Sequence, residues 1–187
     1  MKATTALETS ARAFTAAAAA YVQWMERVAT EDAPKINLRE LHRRLGTLQA
    51  AAAGLPPIKL NGEPEAAPSA EETRSSENLE EARSVRSLAA TVASKLPLDA
   101  YSVVFDALDV ADRGSIMKSF DDDLGDIYLE LKRVLAVGQT ATLVDAVWRW
   151  RFDYYTHWGR HLVHAQSAIY SYLADSGHFF FDGGIVR

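Results

Sequence analysis

The stretch TATLVDAVWRWRFDYYTHWGRHLVHAQSAIYSYLA, residues 140–174, decides the fold. It carries no proline, its single glycine is Gly159, and its apolar residues return every three or four positions, the signature of an amphipathic helix. At about 100° per residue, Val144, Trp148, Tyr155, Leu162, Ile169 and Leu173 form one stripe, expected to be the core face. Trp150, Asp153, Tyr154, His157, His161 and His164 form another. The spacing therefore predicts one long helix with large rings on two sides, kinked at Gly159.

The same period recurs upstream. Leu7, Phe14, Ala18, Tyr21, Trp24, Met25 and Val28 predict a helix over 5–29, with the run from Ala16 to Ala20 supplying the best helix former. Asn37 is a cap for a second helix carrying Leu38, Leu41, Leu45 and Leu48 and ending at Gly54. Residues 78–95 form a third, with Leu79, Ala82, Val85 and Leu88 turned inward. Tyr101, Val104, Phe105 and Leu108 fit a short helical face over 98–108, and another helix is expected over 115–136. Between the second and third lies 55–76, with Pro56, Pro57, Pro64, Pro68 and Gly62, read as a mobile, solvated loop inside the domain. The expectation is an all-α bundle of five or six helices forming one domain over 1–176. An aromatic tail, 177–187, with Phe179, Phe180 and Phe181, is expected to pack on the bundle or on a partner.

Composition narrows function. A chain of 187 residues, 48% hydrophobic and 24% charged, is of ordinary globular make-up. There is no cysteine, which excludes disulfides, thiolate metal sites and cysteine nucleophiles and leaves His, Asp and Glu as the metal ligands. A net charge of −5 argues against nucleic acid, whose binding rests on neutralising phosphates. Glu8 and Arg12 interrupt any secretory apolar core, and no run approaches the roughly 20 apolar residues of a membrane span. A cytoplasmic protein with no membrane partner is expected. No P-loop, dinucleotide fingerprint, nucleophile elbow or internal repeat occurs.

Two histidines four apart on a helix can share one divalent ion. His157, His161 and His164 span only about 60° of a helix circumference, with Asp153 one turn earlier. Asp122 and Asp126, also four apart, lie on the preceding, antiparallel helix, with Glu130 a turn further. Two imidazoles and two carboxylates make a workable set for zinc, manganese, nickel or iron. A packing reading stands beside it: the acids as a solvated face, the histidines as half-buried hydrogen-bonding rings. Arg151, Trp150 and Trp158, with Asp153 and Tyr154, are the further candidates for binding, and Arg151 is expected to pair with Asp126 or Asp106.

The segment DDLGDIYLELK (122–132) followed by AVWRWRFDYYTHWGRHL (146–162) resembles a bacterial family known only as domain of unknown function 5063. Leu96-Pro97 and Val104-Phe105-Asp106 resemble its preceding segment, so the likeness runs over about 36–173. It implies a helical fold and a bacterial origin and brings no activity; His164 departs from its pattern. Asp123-Leu-Gly-Asp126 also looks like the carboxylate helix of all-α nucleotide pyrophosphatases, with Glu77 and Glu80 or Glu81 as partner acids. Two functions follow as expectations. One is a binding or interaction module that works through the histidine face on a protein, a second copy of itself or a small molecule. The alternative is a divalent-metal hydrolase of a phosphate or nucleotide substrate, sited between the last two long helices.

Overall fold

The computed structural model describes residues 2–32, 35–59, 79–104, 108 and 114–175. Residues 60–76 of the expected loop and the whole 177–187 tail lie outside these. The helical expectation holds: α1 (Lys2–Thr30), α2 (Leu38–Ala53), α3 (Leu79–Ala93) and α4 (Phe120–Thr140) precede a rod made of α5 (Leu143–Asp153), a π-helical turn (Tyr154–Trp158) and α6 (Gly159–Asp175).

The apolar stripes of α1 and α2 are buried as their spacing demands. Phe14, Ala18, Tyr21, Trp24, Met25 and Val28 of α1 meet Leu38, Leu41, Leu45 and Leu48 of α2 in the core. Asn37 caps α2, its side chain accepting from the backbone N–H groups of Arg39 and Glu40 at 3.0 and 3.3 Å. Helix α4 is central, packing on α1, α3 and α6. It approaches α3 closely at Gly125, where an added Cβ would lie 3.1 Å from the Ala89 Cβ. Leu55, at the start of the expected solvated loop, is buried instead, and its carbonyl accepts from Arg151 at 2.7 Å.

Two helical expectations fail between α3 and α4. Ala100–Val104 is strand β1 and Ser115–Ser119 is strand β2, paired antiparallel with Tyr101 opposite Lys118 and Val103 opposite Ile116. The stretch Tyr101-Ser-Val-Val104 is aromatic and β-branched, residues that suit a pleated, half-buried surface, and its burial alternates along the strand. Helix α4 accordingly starts at Phe120 and not at Ser115.

The kink near Gly159 is a π turn, and it changes which face is inside. Val147, Trp150 and Tyr154 are buried; a regular helix would continue that face through His157 and His161. The structure buries Trp158, Leu162, Ala165 and Ile169 instead, one residue later. A π turn absorbs one extra residue, and here that residue rolls the histidines off the core. It also corrects the predicted core stripe: Leu162 and Ile169 belong to it, whereas Val144 and Tyr155 are exposed, Tyr155 by 60%.

Gly159 closes this turn. A Cβ there would stand 2.3 Å from the Tyr154 carbonyl oxygen and 2.8 Å from the Tyr154 ring. Neither backbone nor a buried ring can yield cheaply, so Gly159→Ala is expected to destabilise the protein by about 2 kcal/mol, in the range of core overpacking. Denaturant unfolding followed by circular dichroism measures it; an unchanged midpoint would show that the turn tolerates a side chain.

Candidate metal centre

Asp123 is the element on which the site is built. It lies on α4 three residues after Phe120 and four before Ile127, so helical geometry carries it into the core with them. It is fully buried. An isolated buried carboxylate is prohibitively costly, and this one is met from three elements. Tyr101 of β1 donates its hydroxyl to Oδ2. Lys118 of β2 places Nζ 3.1 Å from Oδ1. His161 of α6 places Nδ1 2.6 Å from the same Oδ1. Burial pushes the Asp123 carboxyl up, but the hydrogen bonds from His161, Tyr101 and Lys118 outweigh it and hold the group below the usual range. Burial and the adjacent carboxylate push the Tyr101 phenol up, so it remains a donor.

With Nδ1 engaged by Asp123, the other nitrogen of His161 is aimed at the opposite side of the ring. Nε2 faces the Asp126 Oδ2 at 3.3 Å. At that distance Nε2 can either donate a proton to Asp126 or, unprotonated, share a cation with it. His157, one turn earlier, completes a group: Asp126, His157 and His161 each offer a ligand atom, all within 4.8 Å of one another. The His157 Nδ1 is 3.5 Å from the Glu130 Oε1, and Glu130 is itself held by Arg133 at 2.7 Å. His157 is 51% exposed, so this side of the group opens to solvent.

The carboxylates divide by their partners. Burial raises Glu130, but His157 and Arg133 bring it below its ordinary value. Asp126 stays raised, by burial and by the charges of Asp122 and Asp123. Burial also leaves Asp153 raised despite its pairing with Arg149, 2.7 Å away. Glu130 chiefly raises His157, and burial lowers His164.

The structure thus brings His157, His161 and Asp126 together. Asp122 is 62% exposed and belongs to a second group, with Asp123 and His161, whose ligand atoms also fall within 4.8 Å. His164 belongs to neither group; its Nδ1 is buried without a partner among the described residues. Trp150, Tyr154 and Trp158 are core rings packed around one another and Phe14, and the Trp150 indole donates to the Val134 carbonyl at 3.1 Å. Asp153 is tied to Arg149. Arg151 is not paired with Asp126: it donates to the Leu55 carbonyl and stacks over Tyr155, its guanidinium 4.8 Å from the ring centre; the other expected acid, Asp106, lies outside the described residues. Glu80 and Glu81 are exposed at the start of α3, and Glu77 lies outside the described residues.

Sequence reasoning missed Asp123, Tyr101 and Lys118 as parts of this site. Asp123 had a signal, a charge in register with Phe120 and Ile127. Tyr101 and Lys118 had none, because their convergence follows from strand pairing.

Asp123→Asn should cost about 3 kcal/mol at neutral pH, in the range for breaking a buried ion pair. Because the folded-state pKa of Asp123 is depressed, its stabilisation is present above the unfolded carboxyl value and lost as pH falls through the folded one. The stability gap between wild type and variant should therefore hold from pH 7 to pH 5 and narrow only in stronger acid. Urea unfolding across that range tests it, and a gap that closed above pH 5 would contradict the depressed carboxyl.

Comparison with solved structures places the crystal structure of protein BF1032 from Bacteroides fragilis over 94% of both chains, at 22% identity and a TM-score of 0.57. At that identity the likeness shows the fold alone. The comparison with curated proteins gives no match. The family model described as Domain of unknown function (DUF5063) matches residues 5–175, well beyond the resembling segment. It takes in every helix described above, and the chain belongs to that family.

Proposed function

We propose that the protein is a helical binding module of the bacterial cytosol whose ligand is a divalent first-row metal ion. Asp126, His157 and His161 bind the ion, while Asp123 and Glu130 orient the two imidazoles. The observation that carries this reading is His161, with its Nδ1 on the buried Asp123 and its Nε2 on Asp126. A carboxylate behind a ligating histidine fixes its tautomer and raises its basicity. Two ligand atoms about 2.0–2.1 Å from zinc at a tetrahedral angle lie about 3.4 Å apart, close to the 3.3 Å between Nε2 and Oδ2. Three protein ligands on a face open at His157 leave room for water or a small-molecule ligand.

Charge around the site favours a cation over an anionic substrate. Asp122, Asp126, Glu130 and Asp153 all act electrostatically on the groups of this cluster. The arginines beside it, Arg133 and Arg149, are engaged by Glu130 and Asp153. A phosphate would need such cations for itself, so binding the ion, rather than hydrolysing a phosphate ester, is the reading the geometry supports best. A protein partner, including a second copy of the chain, belongs to the same proposal as the recipient of the module's metal-dependent surface.

Elemental analysis of untagged protein purified without chelator, then reloaded with zinc or manganese, tests this. One equivalent of metal is expected in the wild type and none in His157→Ala/His161→Ala. Absence of metal from reloaded wild type would end the reading.

Affinity should also depend on pH in a definite direction. A histidine must lose its proton to ligate a metal, and Glu130 holds His157 above the ordinary imidazole value of 6.5. Metal affinity is therefore expected to fall on acidification from a pH above 6.5. Glu130→Gln should move that fall to lower pH while weakening binding by about tenfold, the low end for a lost orienting partner. Titration with zinc at stepped pH reads both effects, and a fall centred at or below 6.5 in the wild type would contradict the Glu130 contact.

A further inference from the structure

His161 faces carboxylates with both of its nitrogens. On the Nε2 side stand Asp126 and His157; on the Nδ1 side stand Asp122 and Asp123, and each set offers three ligand atoms within 4.8 Å. The two sides differ in one respect. Between Asp122 and Asp123 there is already a cation: the Lys118 ammonium, 3.6 Å from the Asp122 Oδ2 and 3.1 Å from the Asp123 Oδ1, its side chain 16% exposed. It reaches there because Lys118 sits opposite Tyr101 in the β1–β2 register and both side chains turn onto the same carboxylate.

We propose that Lys118 is a built-in cation occupying the second half of a paired carboxylate–histidine centre, so that the protein takes one divalent ion, on the Nε2 side of His161, and not two. The inference rests on the metal reading above and adds the stoichiometry and what enforces it. An ammonium and a divalent ion compete for the same two carboxylates, and the ammonium is tethered by the hairpin, at a high effective concentration. Displacing it would strand a charged amine in a mostly enclosed position, a cost that any second ion would have to meet out of its own binding energy. The consequence is chemical as well as numerical: a two-ion clamp on the attacking and leaving oxygens of a phosphoryl group is not available while Lys118 is in place.

The experiment is equilibrium dialysis of the full chain against zinc, with metal counted by elemental analysis, for wild type, Lys118→Met and Lys118→Arg. One equivalent is expected in the wild type and in Lys118→Arg, which retains the positive charge. Two are expected in Lys118→Met, the second weaker because binding beside Asp122 and Asp123 must release the His161 Nδ1 proton to solvent, and adding Asp122→Asn should remove that second equivalent. Should the apolar variant fail to fold, Lys118→Gln keeps a donor to Asp123 without the charge and carries the same expectation. Two equivalents in the wild type, or one in a folded Lys118→Met or Lys118→Gln, would overturn the proposal while leaving the metal reading intact. No metal in any of them would withdraw both.

Discussion

A carboxylate with no access to water must find its donors inside the protein, and Asp123 finds them on three separate elements. Its partners Tyr101, Lys118 and His161 come from β1, β2 and α6. The charge therefore pins the hairpin and the last helical rod to α4 at one point. A buried ion pair contributes little net stability against an apolar replacement, yet breaking one member is expensive. The group thus acts as a specifier: it tolerates only the arrangement in which hairpin, α4 and α6 are all in place.

The π turn is the second condition for that arrangement. Its extra residue moves the core face from His157 and His161 to Trp158 and Leu162, leaving the imidazoles beside the acids of α4. Gly159 permits it, since the Tyr154 carbonyl occupies the space a side chain would need. Tyr154 packs edge-on against Trp158, with ring centres 4.9 Å apart, and the Phe14 ring lies 6.2 Å from Trp158 in a stacked arrangement. The aromatic core thereby fixes the turn, and the turn fixes the aim of two candidate ligands. Local irregularity of this kind has a cost that regular helix avoids, and π turns recur at functional positions for that reason.

Legibility in the sequence followed the length of the repeating signal. The stripes of α1 and α2 run over several turns, and every buried leucine of α2 was predictable from spacing. Residues 100–104 offer only five positions, too few to tell strand from helix by period, and their pairing with 115–119 is not a local property. The stripe of the last rod was read correctly on each side of Tyr154 only in part, because one absorbed residue turns all that follows by about 100°. Tyr155, expected on the core stripe, is exposed, while Trp158, expected as a binding residue, is buried. The ligand pair survives the turn, which holds His157 within it and His161 just after it with ring centres 5.2 Å apart, and so do the acids opposite. Asp123 was hidden among three consecutive aspartates whose differing depths only the packed helix reveals.

The electrostatics of the site separate the groups that hold it from the groups that await something. Asp123 and Glu130, each with hydrogen-bonded cationic or imidazole partners, are held below the ordinary carboxyl range. Asp126, half-buried and beside Asp122 and Asp123, is held above it. The raised value means that His161 and His157 only partly offset its burial and its acidic neighbours. A divalent ion between Asp126 and the Nε2 of His161 would supply that compensation, and by linkage the binding energy would include relief of the strain already present. The same logic explains the asymmetry across His161. On its Nδ1 side a lysine ammonium meets the acids; on its Nε2 side Asp126 has only the two imidazoles, and the exposed His157 leaves that side the one through which a cation can come and go.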